Sequence, residues 1–357
     1  MYYDNDKGVR GRDPEHVYYN IDRYNNTQSI ISSRTSQNRT SAILPKASDY
    51  KMAVVRFQFS TLSIPILNYE DDWYVTLRYL GVNYTQQLVY IPDDLIPAPN
   101  QPIYHYSIVM EMINNALGLA YGAMLVAEPT CPALEQPRML FNKSDSRFSI
   151  LYPNVGYQLG NTTGAGVEVY FNYPLYSLFD NFPDFWLYDG VQFNADRRDV
   201  RLLVLNSGSN LVDISNNPST YFGSQYNAVV FAEDDYFMMT QEFPTLNLWS
   251  PYNKIIITVP SLGARAEWLT NYNSDGQEVS FPILTDFEID FAPDQSARNI
   301  YTYNPSGEYR FIDLTATEPL YVVDTAVFYQ NQRTGQMNEI QLLPNQGYSV
   351  KMLFQRK

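Results

Sequence analysis

The sequence predicts a mainly β protein, organised as a sandwich or barrel with one helix. Three observations lead to this prediction. The composition favours pleated sheets and turns, with 31 Tyr, 19 Phe and 22 Pro among 357 residues. Short stretches of alternating apolar and polar residues recur between turn residues. Only one segment has clear helical periodicity, which argues against a βαβ architecture.

The amino-terminal third of the sequence is predicted to form an arm followed by strands. Residues 1–16 are polar and charged, and we expect an arm that is mobile or ordered by a partner. VYYNIDRY (17–24) predicts a short strand, and the alternation in YKMAVVRFQFSTLSIPIL (50–67) predicts a long one. WYVTLRYL (73–80) and QQLVYI (86–91) predict a hairpin that turns through GVNYT.

The one clear helix is predicted over residues 103–125. Its apolar positions recur at spacings of three and four, namely Ile108, Met112, Ala116, Leu119 and Ala123. Such a stripe, even with two methionines in the segment, is typical of a helix lying on a sheet rather than of a cofactor-binding face. Residues 126–235 then place short strand-like pieces between long Gly/Asn/Pro loops, which predicts an elaborated insertion.

Regular strands return from residue 236 to the end of the sequence. Seven segments alternate in the manner of strands, and the last three are joined by the turn sequences NQRTGQ and PNQG. These turns predict a meander whose final strand, YSVKMLF (348–354), is paired within a sheet. A strand held in that way needs no polar tail.

Charge and cysteine content exclude several function classes. The formal net charge is −14, which argues against general affinity for a polyanion, although residues 1–56 hold nine basic against six acidic side chains. A single Cys allows no intramolecular disulfide and no cysteine-based metal site. The amino terminus has no signal-peptide pattern, and the apolar stretch 117–127 is too short for a bilayer, so we expect no secretory route and no membrane insertion.

Residues for nucleophilic or phosphate chemistry are scarce. His16 and His105 are the only imidazoles, and Cys131 lies in EPTCPALEQP without a nucleophile-elbow pattern. The glycines between 156 and 166 do not match a phosphate-loop spacing. We therefore predict no catalytic residues and no cofactor.

The strongest cluster of carboxylates is TDFEIDF. On a strand, Asp286, Glu288 and Asp290 project from one face and the phenylalanines from the other. A hard cation or a glycosidase-type acid/base pair needs such a face, which makes the trio a weak metal candidate. Adjacent like charges suit water best, so a solvated strand face is the preferred interpretation.

Several segments, taken in order, resemble a group of viral capsid proteins. They are VYYNIDRYNN, DYKMAVVRFQFSTLSIPIL, TQEFPTLNLWSPYNKIIITVPSLGARAEW, PILTDFEIDF, GEYRFIDLTATEPLYVV and GYSVKMLFQRK. The set is similar to the penton-type or minor capsid proteins of Polinton-like viruses, virophages and adintoviruses, and more distantly to the adenovirus penton base. The resemblance covers residues 17–125 and 236–357.

The resemblance implies a jelly-roll sandwich and a structural function in the virion. The implied organisation is an arm with the first strand (1–49), a first jelly-roll part (50–125), an inserted upper domain (126–235) and a second jelly-roll part (236–357). Subunits are expected to form homopentamers at icosahedral fivefold vertices, without enzymatic activity. The family supplies no catalytic residues.

The resemblance also implies partners. These are other copies of the chain, the major capsid protein, other minor capsid proteins, and a fibre or host receptor on the insertion. Nucleic acid is expected at most through the basic arm. Five arginines are the candidate interface residues, namely Arg10, Arg12, Arg23, Arg34 and Arg39.

Three alternatives stay open at this point. A minor, cement or spike capsid protein away from the vertex fits the same sequence. A carbohydrate-binding sandwich could use the Tyr- and Asn-rich loops of 153–223. A glycoside hydrolase could use Asp286 and Glu288.

Overall fold

The computed structural model divides the chain into two compact units. It describes residues 15–69, 72–92, 101–142, 144–160, 164, 166–186, 199–205, 210–213, 235–250, 252–260, 262–264, 267–272, 278–288, 300–305, 309–331, 335 and 337–357. The sandwich unit comprises 1–64, 251–291 and 295–357, and the helix unit comprises 65–250 and 292–294. The predicted boundaries lay at 125/126 and 235/236. In the structure the long helix packs on strands of the helix unit, and the predicted organisation of the jelly roll and its insertion stays a prediction.

Strands dominate both units, which confirms the mainly β prediction. The first twelve strands are β1 (His16–Tyr24), β2 (Ile31–Ser32), β3 (Thr35–Asn38), β4 (Tyr50–Ser60), β5 (Leu67–Asn68), β6 (Tyr74–Tyr79), β7 (Val82–Gln87), β8 (Pro102–Ile103), β9 (Arg138–Asn142), β10 (Arg147–Pro153), β11 (Glu168–Asn172) and β12 (Asp184–Trp186). The others are β13 (Asp199–Leu202), β14 (Leu211–Asp213), β15 (Asp235–Thr240), β16 (Tyr252–Thr258), β17 (Glu267–Tyr272), β18 (Glu278–Glu288), β19 (Ile300–Tyr303), β20 (Ile312–Asp313), β21 (Val322–Asn331), β22 (Met337–Glu339), β23 (Gln341–Leu342) and β24 (Gly347–Arg356). Among the described residues, the α-helices are α1 (Tyr106–Ala127), α2 (Tyr173–Tyr176) and α3 (Leu246–Trp249), and 3₁₀ turns cover Ala47–Asp49 and Thr61–Ser63.

Two antiparallel sheets enclose the core of the sandwich unit. The first has the order β1-β24-β4-β19, with β20 also on β4, and the second has the order β17-β18-β16-β21-β22, with β3 on β21. The final strand β24 pairs along its whole length with β1 on one side and β4 on the other. The predicted pairing of the last strand is therefore confirmed, and that strand is central rather than peripheral.

Aromatic rings from both sheets meet in this core. The ring of Phe57 on β4 lies 5.3 Å from the ring of Phe287 on β18, and Phe287 stacks on Tyr303 of β19 at 4.6 Å. Each fully buried phenylalanine contributes about 1.5–3 kcal/mol by leaving water. The alternation predicted for β4 thus describes the inner and outer faces of a sheet.

The register of β4 shifts once, and this shift decides which side chains face outward. Lys351 lies opposite Arg56, whereas the next residue, Met352, lies opposite Val54. One extra residue in β4, Val55, therefore lets Val54 and Phe57 both reach the core. The predicted strand over 50–67 is also shorter than expected. It ends at Ser60 in a 3₁₀ turn, ahead of Pro65, which has no N–H to donate to a sheet.

In the helix unit the predicted hairpin exists, but its predicted turn is wrong. The strands β6 and β7 pair directly across a two-residue turn of Leu80 (φ 47°) and Gly81 (φ 83°). Two positive φ values match the twist of the flanking strands, and glycine adopts such a value without steric cost. The segment GVNYT, which was predicted as the turn, therefore contains one turn residue, Gly81, and the first four residues of β7.

The helix α1 confirms the predicted element and its packing on a sheet, but not the predicted stripe. Its buried side chains are Val109, Met110, Met112, Ile113, Ala116, Leu117, Ala120 and Met124, whereas Leu119 is 57% exposed. The helix is apolar on most sides, so spacing alone did not select the inner face. Its mean hydropathy of 1.3 over 18 residues would also suit a membrane span. Its buried side chains instead belong to the core of the helix unit.

We expect two glycine substitutions to change stability in opposite directions. A Cβ at Gly347, on β24, would lie 2.5 Å from the backbone oxygen of Arg23, so Gly347→Ala should lower the free energy of unfolding by about 1–3 kcal/mol. Gly122, on α1, has nothing within 4 Å, so Gly122→Ala should raise it by about 0.5–1 kcal/mol. Urea unfolding of both variants measures this, and a neutral Gly347→Ala would contradict the close approach of β1 and β24.

Candidate interaction surface

The residues considered for catalysis do not form a site. His16 and His105 are exposed, and burial raises the pKa of the Cys131 thiol, which disfavours the reactive thiolate. Among the residues that the structure describes, no three His, Cys, Asp or Glu side chains cluster as metal ligands. The structure therefore gives no support for catalysis by His16, His105 or Cys131.

The predicted carboxylate trio is partly engaged in ion pairs. The carboxylate of Asp286 lies 2.6 Å from Lys254 Nζ and 2.7 Å from Arg310 Nη1. Burial opposes ionisation of Asp286, but the two cations outweigh it and hold the pKa of this carboxyl below its ordinary value. Glu288 is exposed opposite Lys254 in the strand register, and Asp290 lies outside the described residues.

The five predicted interface arginines have different environments. Arg34 pairs with Glu339 at 2.7 Å, and Arg39 lies over the ring of Tyr19 at 5.6 Å. Arg23, on β1, borders an open trough at the end of the first sheet, but its side chain lies on the same face of β1 as the buried Tyr19 and Ile21, opposite to Tyr18 and Tyr24. Arg10 and Arg12 lie outside the described residues. The part of these arginines in an interface stays a prediction.

The outer face of the first sheet has features of an interface, and we call it the basic sheet face. It is defined by Tyr18, Tyr24, Arg56, Ile300 and Lys351. Tyr18 and Tyr24 are each 57% exposed and Ile300 is 66% exposed. Tyrosine and arginine are the residue types enriched at the energetic centres of protein interfaces. Exposed side chains of this kind on a rigid sheet are suited to contact with another protein.

Two cations lie side by side on this face, and neither has an ion-pair partner among the described residues. Arg56 and Lys351 are directly opposite each other in the register of β4 and β24, at a typical Cβ separation of about 5 Å. Lys351 Nζ lies 4.9 Å from the centre of the Tyr18 ring, and Arg56 Nε is buried without a hydrogen-bond partner. Neither cation forms an ion pair with a described residue. Like charges in this position destabilise a sheet, so the arrangement favours binding of an external anion.

A trough of ≈ 310 Å³ crosses the end of the same face. Its floor includes Gly347 and Ser349, and its walls include the exposed side chains of Tyr24 and Ile300. Tyr348 also borders it. Burial is the main cause that raises the pKa of this phenol to about 12, so the hydroxyl stays neutral and donates a hydrogen bond to the backbone oxygen of Ser33. The small residues of β24 keep this part of the face open to an inserted side chain.

Sequence reasoning missed Arg56 and Lys351. The alternation in β4 placed Arg56 on a polar face, but the partner strand of β4 comes from the far end of the chain. Nothing in either segment shows that the two cations oppose each other.

We predict an acid-sensitive contribution from Asp286. Asp286→Asn should lower the free energy of unfolding at neutral pH by about 1 kcal/mol, because Lys254 and Arg310 lose their shared carboxylate. A lowered folded-state pKa contributes stability above the ordinary pKa of 3.8 that is lost as pH falls through the folded-state value. The difference between wild type and variant, measured by urea unfolding, should therefore shrink in acid. A difference that is constant with pH would contradict the ion pairs.

The fold and the sequence both match known capsid proteins. A structure of the Sputnik virophage obtained by cryo-EM at 3.5 Å contains a chain with a TM-score of 0.73 and 23% identity, covering 97% of this chain and 99% of that one. The mavirus penton protein gives a TM-score of 0.61 and 15% identity, covering 96% of this chain and 100% of that one. These likenesses confirm the jelly-roll fold.

Sequence comparisons extend over most of the chain. Structural protein V19 of Sputnik virophage is 24% identical over 199 residues, which is 55% of this chain and 84% of that protein. The profile of the Sputnik minor capsid protein V18/19 family matches residues 17–356. The chain therefore belongs to the Sputnik minor capsid protein V18/19 family and is a structural capsid protein.

Proposed function

We propose that the protein is the vertex component of its capsid, assembling as a homopentamer at the fivefold positions. The observation that carries this proposal is the likeness to the mavirus penton protein, which spans both units and the whole of that chain. A match confined to the sandwich would support only a shared jelly roll. Agreement through the helix unit supports a shared position in the particle as well.

The chemistry of the surface supports a structural function. Ring assembly requires two different, complementary surfaces on each subunit. The basic sheet face provides one candidate, with exposed aromatic groups and two cations that form no ion pair with a described residue. We propose that the protein makes and breaks no covalent bonds, in keeping with relatives that are structural capsid proteins.

The remaining partners follow from a vertex position. The pentamer would contact the major capsid protein and other minor capsid proteins around it. We propose that the basic arm faces the capsid interior or a neighbour, and that the region 126–235 faces outward, where a fibre or receptor binds. Contact with nucleic acid would be limited to the arm, because the chain as a whole has a net charge of −14.

We expect the purified full chain to form closed fivefold rings. Native mass spectrometry should show a species of five times the 41.2-kDa chain mass, and two-dimensional class averages from negative stain should show fivefold symmetry. Because association follows mass action, the ring fraction should rise with protein concentration.

The same experiment separates the vertex position from its closest alternative. A minor, cement or spike protein away from the vertex would give a different stoichiometry or remain monomeric. A stable species with a symmetry other than fivefold, or a chain that stays monomeric at every concentration and salt, would overturn the vertex assignment while leaving the family membership intact.

A further inference from the structure

The net charge of the chain is confined to one of the two units. The sandwich unit contains 17 basic and 17 acidic residues, so its formal charge is zero. The helix unit contains 7 basic and 21 acidic residues and therefore carries the entire −14. The helix unit therefore attracts cations, and the sandwich unit carries two, Arg56 and Lys351, that form no ion pair with a described residue.

The helix unit presents two exposed carboxylates together with exposed apolar side chains, and we call this surface the acidic patch. It is defined by Asp180, Glu242, Phe243 and Leu248. Asp180 and Glu242 are both exposed. Phe243 is 49% exposed and Leu248 is 62% exposed. The patch thus has the same mixture of charge and large exposed apolar groups as the basic sheet face, with the opposite sign.

Backbone and amide hydrogen bonds fix the two acidic positions next to each other. Asn181 accepts a hydrogen bond from the Glu242 N–H at its backbone oxygen (3.4 Å) and another from the Phe243 N–H at Oδ1 (3.1 Å). The neighbouring backbone oxygen of Asp180 accepts a hydrogen bond from Gln241 Nε2 at 3.2 Å. The segments that carry Asp180 and Glu242 are therefore held together before any partner binds, which lowers the entropic cost of recognition.

We propose that the basic sheet face of one subunit docks on the acidic patch of a second copy, and that this pairing builds the ring. Arg56 and Lys351 would meet Asp180 and Glu242 of the second copy, which relieves the repulsion between the two cations. Tyr18, Tyr24 and Ile300 would cover Phe243 and Leu248 of that copy. The inference rests on the proposed homopentamer and names the two surfaces that form it.

The two surfaces differ, as a ring requires. A contact between unlike patches propagates head to tail and closes when the rotation per subunit fits, whereas a self-complementary patch stops at a dimer. A nucleic acid is a weaker candidate for the cations, because its phosphates would also approach a chain with net charge −14.

Charge reversal on either surface tests the pairing in the full chain. Arg56→Glu/Lys351→Glu and, separately, Asp180→Lys/Glu242→Lys should each weaken ring formation by about tenfold or more, measured by mass photometry across a dilution series. Combining all four substitutions in one chain restores opposite signs and should recover rings. Lys46→Glu/Lys357→Glu and Asp72→Lys/Glu111→Lys make the same charge changes at exposed positions outside the two patches, and should leave the rings unchanged.

A mixture of the two reversed variants provides a further check. Each variant repels itself, but each attracts the other at both of its surfaces. The mixture should therefore associate while failing to close fivefold rings, because two alternating species cannot alternate around an odd number of positions. Pentamers made of one variant alone would overturn the pairing.

A conservative variant separates an interface role from a structural role. Arg56→Gln removes one of the two opposed cations, so the monomer should be as stable as wild type or more stable, while ring formation is weakened. Loss of monomer stability by circular-dichroism melting, with assembly unchanged, would assign Arg56 to the fold and overturn the proposal.

The outcomes distinguish this inference from the proposed function. If the wild type forms no ring, the vertex assignment fails first. If the wild type forms rings and both reversed variants form them equally well, the pentamer stands and the pairing of these two surfaces is wrong. Binding of a DNA or RNA oligonucleotide that is lost in Arg56→Glu/Lys351→Glu, with rings retained, would assign the cations to nucleic acid instead.

Discussion

The pairing of β24 between β1 and β4 is the constraint on which the sandwich unit depends. It joins residues 16–24 and 50–60 to residues 347–356, so the sheet cannot form until the ends of a long chain have met. Closing such a loop costs conformational entropy before any contact is gained. The favourable free energy that offsets this cost comes from burying the apolar faces of these strands, including Val350 and Phe354, in the core between the two sheets. The close approach of Gly347 to Arg23 is part of the same register.

The same pairing produces the surface that we connect with function. The inner face of β4 and β24 is aromatic and dry, and the register that makes it so also sets Arg56 opposite Lys351 on the outer face. A sheet optimised for its own stability would place opposite charges there. Natural proteins keep such local costs where a partner compensates for them, which is the physical basis for assigning this face to assembly.

The two units of the chain differ in net charge. Seventeen charges of each sign cancel in the sandwich unit, whereas the helix unit carries three acidic residues for every basic one. Repulsion between the acidic units of different copies limits indiscriminate association. Contacts between an acidic patch and cations of another copy are therefore the favourable ones. The proposed pairing would draw its specificity from this distribution of charge.

Local patterns of residues were sufficient to predict the class of local structure, because alternation and turn residues act over a few positions. They predicted the strand at 17–24, the alternating faces of β4, the helix near 103–125 and the existence of the hairpin after residue 73. They misplaced the hairpin turn, because the positive φ values of Leu80 and Gly81 depend on the twist of the paired strands. They could not select the inner face of an almost uniformly apolar helix, nor show which unit that helix joins. Only the tertiary structure placed Arg56 beside Lys351, and Asp180 beside Glu242, because residues hundreds or tens of positions apart become neighbours only through strand order and register.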